Sequence, residues 1–313
     1  MGTPEFAVAT LGSLVMNGFN VLAVVTAPDK PSGRGQKLSC SAVKKYALDN
    51  KLPVLQPQNL KDPEFISTLK SYNPDLFIVV AFRMLPGVVW NLPPAGTINL
   101  HASLLPDYRG AAPINHVIIN GETTTGVTTF FINDKIDTGN ILLREEVNIN
   151  PGENAGELHD RLMVTGARLV IKTLKGLSDK ALVPRTQSEF MQVGKTPKEA
   201  PKIFPEDCFI KWNSTAATIH NLIRGLSPYP CARTIIQNAD NRFIVKISES
   251  LIIAEKHNLN PGTILTDGKH YIRIAANDGF IEITDLQLEG KKRMTTAEFL
   301  RGFNISSYTI PLT

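Results

Sequence analysis

Short apolar runs alternate with amphipathic stretches over roughly the first 190 residues of the chain. Helical patterns accompany these runs, one opening with Thr3 and Pro4 and ending near Gly18, another following the capping pair Asn154 and Glu157. Four runs have the continuous β-branched and aliphatic character of strands covered on both faces, at residues 20–25, 75–80, 97–100 and 126–131. The alternation predicts an α/β domain with an open, mostly parallel, Rossmann-like sheet.

The pattern changes beyond this first domain. The segment 191–205 is rich in Lys and Pro and shows little periodicity, which is typical of a linker. Beyond it, alternating runs predict short strands at 209–212, 243–247, 271–274 and 280–284, and a second capping box predicts a helix at 295–302. We therefore expect an α/β domain at 1–190, a linker at 191–205 and an OB-like β-barrel domain at 206–313.

Composition narrows the class of protein. A chain of 313 residues with 42% hydrophobic and 20% charged residues is typical of a folded globular protein rather than a disordered one. Its apolar runs are far shorter than the ~18 residues of a membrane span, and no leader pattern opens it, so we expect a cytoplasmic protein with no membrane partner. A monomer is the default expectation. Three widely spaced cysteines argue against a disulfide framework and against a metal site.

The clearest candidate chemistry lies at the end of the third predicted strand. Asn99 and His101 are two residues apart, so the period of a strand places both side chains on one face. Open α/β sheets bind ligands at the carboxyl ends of their strands. An Asn amide can donate to a developing oxyanion, and a His can transfer protons near neutral pH. A buried His bonded to backbone, beside an Asn that turns the chain, fits the same pattern.

An acidic residue followed by a Gly turn comes about thirty-five residues later, at Asp137 and Gly139. A carboxylate beside a His orients the ring and favours its protonated form. Asn99, His101 and Asp137 together are the groups that an acyl-transfer site needs.

These residues also carry a family resemblance. The Asn99-Leu-His101 run, the segment 103–113, the Asp137-Thr-Gly139 turn and the segments 2–6, 31–38, 221–230 and 286–294 resemble the folate-dependent formyltransferases, most closely the branch that acts on methionyl-tRNA. The resemblance implies an enzyme that transfers the formyl group of 10-formyltetrahydrofolate to the amino group of methionyl-initiator-tRNA, for translation initiation. It implies that Asn99 stabilises the oxyanion, His101 moves a proton or assists the oxyanion, and Asp137 orients His101 and aids a water relay.

The resemblance also implies where the folate co-substrate binds. The loop after the second predicted strand contributes backbone groups that read the pterin, and the loop after the third lines the pocket. The implied folate-binding residues are Phe82, Arg83, Met84, Leu85, Ser103, Leu104, Leu105 and Pro106. Backbone groups of exposed loops supply the paired donors and acceptors that a pterin requires.

A basic loop and a basic cluster are the candidate tRNA contacts. The loop from Lys30 to Lys37 carries Arg34 and is rich in Gly and Pro, so we expect it to be mobile. Its charge alone favours a solvated surface loop over a nucleic-acid contact. The resemblance implies that this loop enters the acceptor stem, with Arg34 as its key basic residue. OB-like barrels commonly bind nucleic acid, and in this family the C-terminal domain holds tRNA. The candidate contacts are Lys30, Arg34, Lys37, Lys291, Lys292 and Arg293.

Two other functions fit part of the pattern. One is a folate-dependent formyltransferase that acts on a small amine or amino sugar, against which the basic loop and barrel argue. The other is a non-catalytic RNA-binding protein that kept the fold, which has no need of Asn99, His101 and Asp137. The resemblance further implies an apolar strand ahead of residue 1, and we expect full activity and stability to need such a strand.

Overall fold

The computed structural model describes residues 1–32, 37–191 and 194–311. The α-helices are α1 (Glu5–Met16), α2 (Ala42–Asp49), α3 (Pro63–Ser71), α4 (Gly87–Trp90), α5 (Pro113–Ile119), α6 (Ala155–Ser178), α7 (Ala216–Leu226) and α8 (Thr296–Gly302). Short 3₁₀ helices span Gln187–Phe190, Pro205–Cys208 and Ile305–Ser307.

The strands fall into several ladders rather than one sheet. In chain order they are β1 (Val24–Val25), β2 (Lys30–Ser32), β3 (Lys37–Ser39), β4 (Val54–Leu55), β5 (Phe77–Val80), β6 (Thr97–His101), β7 (Arg109–Gly110), β8 (Thr124–Phe131), β9 (Ile141–Asn148), β10 (Glu199–Ala200), β11 (Ala232–Gln237), β12 (Arg242–Ile253), β13 (Ile264–Thr266), β14 (Ile272–Ala275), β15 (Phe280–Leu288) and β16 (Met294–Thr295).

Contacts divide the chain into two compact units. The first comprises Met1–Gly110, Thr124–Asn148 and His159–Glu199, and the second comprises Ala111–Thr123, Ile149–Leu158 and Ala200–Thr313. Two short segments that precede residue 190 therefore group with the second unit. The expected domain and linker boundaries at 190 and 205 stay a prediction.

The first unit contains a mixed sheet in the order β5-β6-β8-β9. β5 and β6 are parallel, while β8 runs antiparallel to both β6 and β9. A separate pair, β1 and β4, is parallel. The runs at 75–80 and 97–100 form the parallel pair β5 and β6, as predicted, because strands covered on both faces need apolar side chains throughout. The run at 126–131 also forms a strand, but β8 is antiparallel to its neighbours, since burial on both faces does not fix strand direction.

The first predicted strand, 20–25, is shorter than its pattern indicates, because only β1 forms. Between β1 and β5 lies the two-residue strip Met1–Gly2. The Gly2 amide donates to the Val25 carbonyl at 3.0 Å, and the Val80 amide donates to the Met1 carbonyl at 2.9 Å. Beside this strip, a cavity of about 660 Å³ is bordered by residues 19–25 and 72–78. The rest of the predicted strand therefore faces a cavity instead of a neighbouring strand.

The second unit is dominated by an antiparallel sheet. Its order is β11-β12-β15-β14-β13, with β16 paired to β15, and it curls into a half-barrel around a core that α7 and α8 help to cover. The predicted strand at 209–212 is wrong, since only Phe209 bridges Arg233 there. Trp212 is buried instead as an anchor whose indole N–H donates to Thr234 Oγ1 at 2.9 Å. Burial alone explains the apolar pattern of that segment.

Both predicted capping boxes are confirmed. The Asn154 side chain accepts from the Gly156 and Glu157 amides, and the Glu157 carboxylate accepts from the Asn154 amide at 2.9 Å. Thr295 and Glu298 form the same reciprocal pair at the start of α8. These bonds satisfy amides that an α-helix leaves without partners at its first turn, so they define where α6 and α8 begin.

Candidate active site

The site candidates on β6 lie at the edge of the sheet where β5 and β6 end. The two strands are parallel and in register, with Val79 opposite Asn99, so the loops that follow them leave at the same edge. Asn99 and His101 occupy alternate positions of β6 and therefore share a face, as the sequence predicts. This arrangement brings the segments 81–86 and 102–110 to one end of the sheet.

His101 is almost completely buried, with 7% of its surface exposed. Its Nε2 lies 2.8 Å from the Tyr108 carbonyl. Because a carbonyl can only accept, Nε2 carries a proton and donates, which leaves Nδ1 as the nitrogen available for proton exchange. Nδ1 lies 3.7 Å from Asp137 Oδ2. That separation exceeds a direct hydrogen bond and lies within the range of an ion pair with the protonated ring.

Asp137 sits in the turn between β8 and β9 with φ of 52°, in the left-handed region that favours Gly. Its carboxylate is mostly buried and accepts from the Gly110 amide, Oδ2 to N, at 3.0 Å. Gly139 completes the turn, and a Cβ there would lie 1.6 Å from the Phe131 carbonyl oxygen. The turn is therefore closely packed, and it holds the carboxylate beside His101.

The Asn99 side chain is half-buried at the same strand end. Within the described part of the chain, its amide has no hydrogen-bond partner. A partly buried amide that lacks a protein partner is available to a ligand, and its N–H can donate to an oxygen placed over β6.

The loop after His101 is held by buried hydrogen bonds. Ser103 Oγ donates to the Asp107 carbonyl at 2.7 Å. Thr128 on β8 donates to the Ser103 carbonyl at 2.6 Å and accepts from the Leu105 amide at 3.2 Å. The side chains of Ser103, Leu105 and Pro106 are buried, while Leu104 is half-buried. Three of the four residues predicted here to contact folate thus pack into the protein.

The side chains of the loop after β5 likewise differ in burial and bonding. Phe82 and Leu85 pack into an apolar cluster with Val79. The Arg83 guanidinium donates to the backbone carbonyls of Pro57 and Gln58. Met84 is 68% exposed. Arg83 and Met84 are thus the exposed side chains among those predicted to contact folate in this loop, and Arg83 is bonded to backbone.

The predicted basic loop corresponds to a hairpin over its described ends. Lys30 is exposed on β2, and β2 pairs antiparallel with β3, so the backbone of these ends is a regular ribbon. Arg34 and the side chain of Lys37 lie outside the described residues. Lys44, on α2, forms an ion pair with Asp29 at 2.5 Å.

The basic cluster near the end of β15 separates into two kinds of residue. Lys291 and Lys292 are exposed. Arg293 donates through Nε to Asp285 at 2.5 Å and through Nη2 to Glu249 at 2.8 Å. The Arg293 guanidinium is therefore engaged in ion pairs with two strands of the sheet, whereas the two lysines are open to solvent.

Two buried residues at the site carry no signal in the sequence. Gln187 bonds to the backbone of the Asp137 turn, and Thr128 bonds to the loop after His101. Their bonds to these two segments go to backbone groups, so no residue motif marks those partners. The one local pattern, a capping box between Thr186 and Glu189, identifies the short helix that carries Gln187 and not its target.

Two family models match the chain. The formyl transferase model matches residues 1–174, and the model for the C-terminal domain of formyl transferases matches residues 202–304. The chain belongs to the formyl transferase family. This finding confirms the resemblance carried by the motifs around Asn99, His101 and Asp137.

Curated family members align with nearly the whole chain. The methionyl-tRNA formyltransferase of Flavobacterium johnsoniae is 53% identical over 306 residues, which are 98% of this chain and 96% of that protein. That of Bacteroides thetaiotaomicron is 51% identical over 307 residues, 98% of this chain and 95% of that protein.

A solved structure shares the fold. WlaRD, a sugar 3N-formyl transferase crystallised with dTDP and 5-N-formyl-THF, matches with a TM-score of 0.64 at 22% identity, over 93% of this chain and 97% of its own. The match confirms the predicted fold class of this formyl transferase family member. Across the described ranges, no helix is long and apolar enough to cross a membrane, and no group of three or more His, Cys, Asp or Glu could hold a metal ion.

Proposed function

We propose that this formyl transferase family member transfers the formyl group of 10-formyltetrahydrofolate to the α-amino group of methionyl-initiator-tRNA, for translation initiation. The observation that carries the proposal is the near full-length likeness to methionyl-tRNA formyltransferases at 51–53% identity. The geometry around β6 supports the same chemistry, because it gathers an unpartnered amide, an imidazole and a carboxylate at one strand end.

The reaction is an acyl transfer between two nitrogens. The lone pair of the methionyl amine attacks the formyl carbon, a carbon–nitrogen bond forms, and the carbonyl π electrons move to oxygen as an oxyanion. Collapse of the oxyanion breaks the bond to N10 of the folate. The attacking amine loses one proton and N10 gains one, so the transfer needs no oxidant or reductant.

Asn99 is the proposed oxyanion donor. Its half-buried amide meets no competing partner among the described residues, so both N–H bonds are available. A donor placed before the charge develops stabilises the transition state more than the ground state, and removal of one such donor typically costs ~10²–10³ in kcat.

His101 and Asp137 are the proposed proton-transfer pair. The Nε2 proton is engaged by the Tyr108 carbonyl, so Nδ1 is assigned to accept the proton from the attacking amine and to return it to N10. The Asp137 carboxylate, 3.7 Å away, stabilises the imidazolium that forms between these two transfers.

The two loops at this edge are the proposed folate pocket. Backbone groups of 82–85 and 103–106 are assigned to the pterin, since most of the side chains in these segments are already packed or bonded. Met84 and Leu104, which are exposed and half-buried, are assigned apolar contact with the folate. Folate acts here as a co-substrate and leaves after giving up its formyl group.

The proposed tRNA contacts are all cationic. Lys30, Lys291 and Lys292 are assigned to phosphates, as is Arg34 on the basis of the family pattern. The same pattern assigns Lys37. A phosphate contact from Arg293 has to compete with the two carboxylates that it already binds. We therefore assign Arg293 the smallest contribution to tRNA affinity. A cytoplasmic monomer completes the proposal.

The test is transfer of radiolabelled formyl from 10-formyltetrahydrofolate, with charged initiator tRNA and charged elongator methionine tRNA run side by side. We expect label on the initiator alone. Label on neither tRNA but on a small amine or an amino sugar would refute the tRNA acceptor, and tRNA binding with no transfer to any amine would support a non-catalytic RNA-binding protein instead.

The same assay tests the proton-transfer pair. His101→Ala is expected to lower kcat by about 10²–10⁴-fold while leaving tRNA affinity nearly unchanged. His270→Ala is the matched control, because His270 is exposed and, among the described residues, its ring bonds to Asp267 nearby in sequence. Wild-type turnover in His101→Ala would remove His101 from the mechanism.

A further inference from the structure

Gln187 is a buried side chain whose hydrogen bonds all end at the edge of the candidate active site. It opens the 3₁₀ helix Gln187–Phe190 and has 5% of its surface exposed. Its Nε2 donates to the Asp137 carbonyl at 2.8 Å and to the Gly139 carbonyl at 3.0 Å. Both donors of the amide are thus used on the turn that carries the Asp137 carboxylate.

The acceptor end of the same amide binds a second segment of the site. Arg109 donates to Gln187 Oε1 through Nε at 3.0 Å and through Nη2 at 2.6 Å. Arg109 directly precedes Gly110, whose amide donates to Asp137 Oδ2 at 3.0 Å. Gln187 therefore joins the two turns between which the Asp137 carboxylate is held.

The position requires both functions of an amide. Two carbonyl oxygens need donors, and a guanidinium needs an acceptor, so only Gln or Asn chemistry satisfies all four bonds. The need for donors is strongest at Asp137, because its backbone lies in the left-handed region, at φ of 52°, which a residue other than Gly holds only when its surroundings stabilise it.

We propose that Gln187 is a positioning residue for formyl transfer, which fixes the Asp137 turn so that its carboxylate faces His101 Nδ1. The inference rests on the proposed roles of Asp137 and His101. Gln187 acts through Asp137 and touches neither substrate. Its loss lets the turn relax, and a displacement of the carboxylate by about 1 Å is enough to cost about 100-fold in rate.

Two substitutions test the donor and acceptor groups of the Gln187 amide separately. Gln187→Met keeps the length of the side chain and removes all four hydrogen bonds. Gln187→Glu keeps the acceptor for Arg109 but places carboxylate oxygens against the two turn carbonyls. We expect both variants to lower kcat by 10- to 100-fold with the KM values for folate and tRNA unchanged. Ser188→Ala, at the exposed neighbouring position of the same short helix, is the control and is expected to keep wild-type kcat.

A double-mutant cycle distinguishes positioning from general damage. In an Asp137→Ala background, Gln187→Met is expected to cause no further fall in kcat, because the group that it positions is absent. A double variant whose loss equals the product of the two single losses overturns the inference. If Gln187→Met does not fold, Gln187→Glu completes the same cycle.

The single variants separate the inference from the function on which it rests. An impaired Asp137→Ala beside a fully active Gln187→Met and Gln187→Glu refutes the positioning role alone. A fully active Asp137→Ala refutes the proposed role of Asp137 and the positioning role with it. Wild-type kcat in Gln187→Glu with a low kcat in Gln187→Met shows that the Arg109 bond matters and the donors do not, which also overturns the inference.

Discussion

A chain that starts at Met1 carries a buried amino group, which predicts a measurable pH dependence of folding for that chain. This ammonium is buried, donates to the Ile78 carbonyl at 2.6 Å, and has a pKa lowered by burial from 8.0 to about 5. The unfolded chain binds a proton here below pH 8, and the folded chain binds it only below about pH 5. Between these values the unfolded state holds more protons, so stability rises with pH across the interval.

The size of the effect follows from the shift. A difference of about three pKa units amounts to about 4 kcal/mol in the limit of low pH, and about 3 kcal/mol of it is lost as the pH falls from 8 to 5. We therefore expect the free energy of unfolding of the chain that starts at Met1 to drop by about this amount over that range, in urea titrations at four pH values.

Extending the chain ahead of Met1 is the perturbation that isolates this group. Any extension replaces the ammonium by a peptide N–H, so the difference in pH slope between the two chains reports the Met1 amino group and cancels every other titration. An extension of six Gly and Ser residues is expected to remove the slope. An extension of six Val and Ile residues is expected to do so and also to raise the thermal midpoint.

The higher thermal midpoint expected for the Val and Ile extension comes from filling the cavity of about 660 Å³ beside the Met1–Gly2 strip. Continuing that strip backward places new backbone groups between β1 and β5 and apolar side chains in the cavity, each contributing about 2 kcal/mol if fully buried. Parallel pH curves for all three chains would refute the buried ammonium. An apolar extension no more stable than the Gly and Ser extension would refute the strand site.

Three smaller predictions concern the site and its surroundings. Gly139→Ala places a Cβ 1.6 Å from the Phe131 carbonyl, so the turn has to move and kcat is expected to fall about 100-fold in the formyl-transfer assay. Thr128→Val leaves two buried backbone groups without their hydroxyl partner and is expected to cost about 2 kcal/mol in urea unfolding. Lys292→Ala is expected to reduce the salt slope of tRNA affinity by about one unit, whereas Arg293→Ala breaks two ion pairs and is expected to lower stability by about 1 kcal/mol instead.

The parts of this protein that the sequence predicts are those encoded by local periodicity. The placement of Asn99 and His101 on one face follows from the two-residue repeat of a strand, and the structure confirms it. The capping boxes at Asn154 and Thr295 are equally local and equally correct. Each of these features depends on residues within a few positions of one another.

The errors occur where an apolar pattern has more than one structural solution. Residues 209–212 alternate like a strand, yet the burial of Trp212 against Thr234 accounts for the same pattern without a ladder. Residues 20–25 read as one strand, but a strand needs a partner along its whole length, and only Val24 and Val25 have one in β4. Periodicity reports burial, whereas pairing depends on a neighbour elsewhere in the chain.

The active-site turn shows why its geometry lies beyond such patterns. Asp137 was identifiable as an acid before a Gly turn, but its aim at His101 is set by the Gly110 amide and by Gln187, which lie 27 and 50 residues away. Both of these bonds involve a backbone group, and every residue except Pro offers the same N–H and C=O. A side chain that recognises a backbone carbonyl therefore leaves no complementary residue type to search for, so the proposed catalytic residues are apparent in the sequence while the residue proposed to position them has to be found in the fold.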